Sequence, residues 1–101
     1  MRTGISIALV GVLFSAQGIQ AAEEDAQARS WAATCTGCHG TNGRSEGGIP
    51  GIAGLDKTYI VTVMQEFKAD KRAATVMHRH AKGYSDAQID RIAAFFATQK
   101  R

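Results

Sequence analysis

Apolar residues recur at i, i+3, i+4 and i+7 in two stretches of the chain: Ile60, Val63, Met64 and Phe67, then Ile89, Ile92, Ala93 and Phe96. That spacing puts four side chains on one face of a helix. The first stretch predicts a helix from Asp56, a good cap residue, to about Lys71. The second predicts a helix opened by Ser85, with Gln88 three residues on as its capping-box partner. Upstream, the alanine-rich run from Glu24 to about Cys35 predicts a further helix, with Asp25 near its start, that continues into the cysteine motif. Between that helix and the next, Gly40 to Gly54 holds six of the eleven glycines and the single proline, which reads as a long wrapped loop. No stretch alternates with period two for long enough to make a strand. The expectation is a small all-α domain with three main helices and one large loop.

The amino-terminal pattern is different in kind. Ile5 to Phe14 is an uncharged, mostly apolar run of ten behind Met1 and Arg2, followed by small and polar residues and then Glu23-Glu24-Asp25. A basic start, a short apolar stretch and small residues before a polar segment predict a secretory signal peptide. A membrane anchor needs roughly 20 apolar residues, and Gln17 and Gln20 interrupt any extension of this one. The expected division is residues 1–21 as a cleaved signal and 22–101 as one domain, with cleavage after Ala21 or, one residue on, Ala22. Ile19, three positions before the first of these bonds, is less typical there than alanine. Export places the domain in the periplasm with no membrane anchor.

Composition sharpens the picture. Hydrophobic residues make up 45% of the chain and charged residues 21%, which excludes disordered and fibrous classes. The net charge of +3 is spread without a basic block, so nucleic acid is not an expected partner. Removing 21 of the 101 residues leaves 80 and takes Arg2 with it, so the charge falls to +2. A domain of that size buries only about 60–65% of its unfolded surface. Its core needs help from a disulfide, a metal or another bound group.

The help is written at the start of the loop: Cys35-Thr36-Gly37-Cys38-His39. Cys-x-x-Cys-His is the attachment motif of c-type haem. Two thiols three positions apart on one helical turn can add to the two vinyl groups on a single porphyrin edge, and His39 then stands as an axial ligand to the iron. Other readings fit less well. A thioredoxin-type pair belongs in a strand–helix context. A structural zinc site wants four protein ligands, and His78 and His80 would complete the set only with poor spacing. A plain disulfide would leave His39 and the weak core unexplained. One covalent haem c per chain is expected.

The sixth iron position decides between a carrier and a catalyst. Its candidates are Met64, Met77, His78 and His80. Met64 sits on an apolar helical stripe, where a methionine is more often core. His78 and His80 flank a basic stretch and read as solvated. Met77 lies far enough beyond His39 for the chain to wrap the haem and return on its opposite face. It is the expected ligand, with the two histidines and an open site as alternatives. Thioether ligation raises the potential, and a filled site blocks small substrates, so the expectation is electron transfer rather than catalysis.

The motif Cys35-x-x-Cys38-His39-Gly40, the glycine-rich loop with Pro50, and Met77 ahead of Ser85 together resemble a class I cytochrome c. The resemblance implies the small cytochrome c fold, and it implies that the carbonyl of Pro50 orients His39. More narrowly, Cys35 through Ser45, Phe67-Lys68, and the runs Ala74–Met77 and Ala81–Ser85 are similar to the haem subunit of flavocytochrome c sulfide dehydrogenase. Parts are shared with the c4 and c5 kinds. The narrower resemblance implies an FAD-containing sulfide dehydrogenase as partner. The alternative is a free shuttle among other redox proteins. A third reading, a haem sensor or ligand-binding protein, would require Met77 to be displaceable.

Overall fold

A computed structural model describes Gly4, Gly11 and residues 17–101, with side chains from Ala26 onward. Apart from Gly11, the apolar stretch 5–14 of the expected leader lies outside the described residues. Four α-helices follow in order: α1 (Gln17–His39), α2 (Lys57–Lys68), α3 (Met77–Lys82) and α4 (Asp86–Ala97), with a 3-10 turn at Thr41–Gly43. Among the described residues there is no strand, so the protein is all-α. None of its described helices is long and apolar enough to cross a membrane.

The two capped helices start where their side chains dictate. Asp56 accepts the Tyr59 N–H at 3.1 Å and opens α2. Ser85 and Gln88 form both bonds of a capping box at the head of α4, at 2.9 and 3.1 Å. Two boundaries differ from the sequence expectation, the start of α1 and the end of α2. α1 begins at Gln17 rather than Glu24 and continues through the cysteine motif to His39, since nothing before Gly40 stops it. α2 ends at Lys68 rather than near Lys71, because Asp70 turns left-handed at φ 57°. There the Asp70 N–H returns to Phe67 O and the Lys71 N–H to Glu66 O, at 3.1 and 2.8 Å, closing the helix end. The short α3 had no sequence signal. Six residues hold too few turns for a periodic stripe, and Val76 caps it without a side-chain bond.

α4 is the centre of the fold and packs against both α1 and α2, while α2 also packs against α3. All four residues of its stripe are buried, with Ala93 and Phe96 fully so. Ile92, Ala93 and Phe96 meet Ala32 of α1 and Ile60 of α2 in one cluster. Phe95 stands edge-on to Phe96 at 5.2 Å, and the Arg91 guanidinium lies 4.8 Å over the Trp31 ring, joining α4 to α1.

The glycine loop is stitched to this frame. Gly43 O accepts the N–H groups of Ile52 and Ala53 at 2.8 and 3.1 Å, and the Gly54 N–H reaches Phe96 O at 2.9 Å. Gly43 itself is buried, with φ 80°. A Cβ there would meet Ile52 and Phe96 side-chain atoms at 2.8 Å, so the loop passes too close to α4 for any side chain.

Candidate haem-attachment site

The last turn of α1 carries Cys35, Cys38 and His39. The helix stops because Gly40 adopts φ 85°, a conformation glycine reaches without penalty. A Cβ at Gly40 would stand 2.5 Å from the Arg44 carbonyl oxygen. The glycine after the histidine is thus a steric requirement of the turn.

His39 Nδ1 lies 2.7 Å from the carbonyl oxygen of Pro50. A carbonyl can only accept, so Nδ1 carries the proton and Nε2 is left with its lone pair as a ligand atom. The glycine loop brings Pro50 to this contact across eleven positions of sequence. Cys35 is half-buried and Cys38 exposed, and no disulfide joins them. Burial pushes the Cys35 thiol up; the neighbouring Thr34 hydroxyl partly offsets this, and Cys38 adds to it. Among the described residues, no group of three or more His, Cys, Asp or Glu could hold a bare metal ion.

The surrounding surface suits a flat apolar group. Of the α2 stripe only Ile60 is buried, and Val63, Met64 and Phe67 are half-exposed. Trp31, Ile52, Leu55, Val61 and Tyr84 pack against the core without being enclosed by it. Ile49, Tyr59 and Val76 are exposed outright. Among the described residues, five of the nine buried apolar ones are alanines. Such a small core with so much half-covered apolar surface fits a bound macrocycle as its missing part. The thiol pair and the oriented imidazole fit the same group.

The other sequence candidates are placed separately. Met77 is the first residue of α3 and half-buried; Met64 is mid-α2 and also half-buried. His78 is half-buried and His80 exposed. An open cavity of about 280 Å³ between Gly43, Arg44, Leu55 and Arg101 contains none of these residues. Two residues near the motif escaped sequence reasoning. Thr34 and Tyr84 share a hydrogen bond of 2.6 Å, and a contact between positions so far apart leaves no local pattern.

The cytochrome c family model matches residues 24–100. The cytochrome subunit of sulfide dehydrogenase of Chlorobaculum tepidum is 49% identical over 63 residues, covering 62% of this chain and 57% of that protein. Cytochrome c4 of Pseudomonas aeruginosa is 36% identical over 81 residues, 79% of this chain and 40% of that one. The chain thus spans about half the length of these two relatives. Cytochrome c-554(548) of Halomonas halodenitrificans is 34% identical over 71 residues, 66% of this chain and 86% of that protein. With the attachment motif, the oriented histidine and a match over most of its length, the chain belongs to the cytochrome c family of electron-transfer proteins, and its cofactor is covalently bound haem c.

Proposed function

We propose that this chain is a periplasmic monohaem cytochrome that accepts electrons from an FAD-containing sulfide dehydrogenase. Residues 1–21 serve as its cleaved export signal. Cys35 and Cys38 would hold the haem by thioether bonds, and His39 and Met77 would ligate its iron. Pro50 fixes the imidazole tautomer and ring orientation through its carbonyl. The bound haem supplies a one-electron couple at the iron. The chain's own residues set its position, exclude small substrates from the sixth site, and tune the potential through the thioether.

The observation that carries this reading is His39, held by Pro50 at 2.7 Å with Nε2 left to bind, at the helix end that also carries Cys35 and Cys38, neither in a disulfide. The choice of partner rests on the similarity to the sulfide dehydrogenase cytochrome subunit. Charge supports a packed interface over long-range steering. Lys57, Lys68 and Lys82 are each paired, with Asp90, Asp86 and Asp70 at 3.2, 2.9 and 2.6 Å. They add little to a net positive field. A free c4-like shuttle is the second reading, favoured by the match to cytochrome c4.

The test is reconstitution. Adding the FAD protein from the native source should speed sulfide-dependent haem reduction by orders of magnitude over the cytochrome alone, and the two should co-purify. Purification as a lone monomer that exchanges electrons readily with unrelated acidic redox proteins would favour the free shuttle.

A further inference from the structure

Several hydrogen bonds meet at one residue in the turn between α3 and α4. Tyr84 Oη lies 2.6 Å from Thr34 Oγ1. The Thr34 hydroxyl already donates its single proton to Trp31 O at 2.8 Å, so the phenol is the donor of the Thr34–Tyr84 bond. The Tyr84 carbonyl accepts from Lys68 Nζ at 2.8 Å, and the Tyr84 N–H points back to Ala81 O at 3.3 Å. Tyr84 therefore contacts α1 one residue before Cys35, the last residue of α2, and the body of α3.

The element it restrains is short and lacks a side-chain cap: α3 has six residues and begins after Val76. It packs against α2, with Ala81 buried and Lys82 paired to Asp70 at the surface. Short, poorly capped elements open locally at low free-energy cost, and one tether then changes how often they do so.

We infer that Tyr84 is a positioning residue, whose hydroxyl on Thr34 ties the haem-attachment helix to the segment that carries Met77 and holds that segment against local opening. The inference rests on Met77 being the sixth ligand. An added ligand must displace Met77, and the population of the opened segment sets its affinity. Loss of global stability alone would not change that affinity, because the added ligand binds the folded protein.

The holoprotein is titrated with imidazole, following the far-red sulfur–iron absorption of the ferric state, in wild type, Tyr84→Phe, Thr34→Val and the double variant. Each single change should tighten imidazole binding about 2- to 5-fold, the worth of one hydrogen bond near the surface. The double variant should match Thr34→Val, which already removes the Tyr84 bond along with the one to Trp31 O. An unchanged affinity in Tyr84→Phe with the far-red band intact, or additive effects in the double variant, would overturn the inference while leaving Met77 as ligand. If wild type lacks the band, the Met77 assignment is what fails. Tyr84 is then judged by amide exchange at Arg79 and His80. Their exchange should speed up about 2- to 5-fold in Tyr84→Phe relative to α4 amides, and equal rates would overturn the inference.

Discussion

α4 and the glycine loop are built on opposite principles, yet they touch at Phe96, whose ring faces Gly43 and whose carbonyl takes the Gly54 N–H. α4 is a capped helix with a full apolar stripe, each residue of which is buried. The loop from Gly40 to Asp56 has no periodic stripe; it seats Ile52, Ala53 and Leu55 on the core, leaves Ile49 exposed, and is held in its course by main-chain bonds. Gly43 is one place where the two meet, against the ring of Phe96. The frame tolerates sequence change as long as volume and polarity are kept, whereas the loop depends on particular backbone angles at particular residues. The loop also delivers Pro50 to His39, so the less regular region sets the geometry of the site.

Both sides of that contact can be broken. Phe96→Ala removes a fully buried ring and should cost about 3–5 kcal/mol in denaturant unfolding of the holoprotein. Gly43→Ala adds a single methyl. It places a Cβ at φ 80° against Ile52, Phe96 and the Ala53 nitrogen, and should cost about 2–4 kcal/mol through strain and overpacking. If Gly43→Ala were neutral, the loop would be draped over α4 rather than seated on it. Asp56→Ala, which removes only the α2 cap, should cost about 1 kcal/mol.

Much of the frame was legible in the sequence because its causes are local. Asp56, Ser85 and Gln88 announce helix starts by side-chain chemistry, and the α4 stripe announces its buried face. The end of α2 was not legible, because Asp70 in a left-handed conformation is less common than glycine there and its carboxylate is claimed by Lys82 at 2.6 Å. α3 is too short to show a period. At the site, Cys35, Cys38 and His39 stand out as a motif. The approach of Pro50 to His39 came from family resemblance, since no spacing rule links the two. The Thr34–Tyr84 bond had neither kind of signal.

The smallest expected effect separates the frame from its surface pairs. Lys82, first of all by a hydrogen bond, holds the Asp70 carboxyl below its ordinary range. Lys68, and then Gln65, do the same for Asp86. A depressed carboxylate stabilises the folded state above the unfolded pKa, about 3.9, and that contribution is lost as pH falls through the lower folded value. Asp70→Asn, which keeps a residue tolerant of the left-handed angle, should lower the thermal midpoint slightly at pH 7. The difference from wild type should shrink as pH drops below about 4. A difference that stayed constant with pH would mean that the pair contributes through packing rather than charge.

The account stands most directly on covalent attachment at the end of α1. Intact mass of the purified protein after acid–acetone extraction should show one haem retained on a chain that begins near Ala22. Replacing both Cys35 and Cys38 with alanine should release it. Haem that extracts freely from the unaltered protein, or a mature chain with no haem mass, would contradict the account.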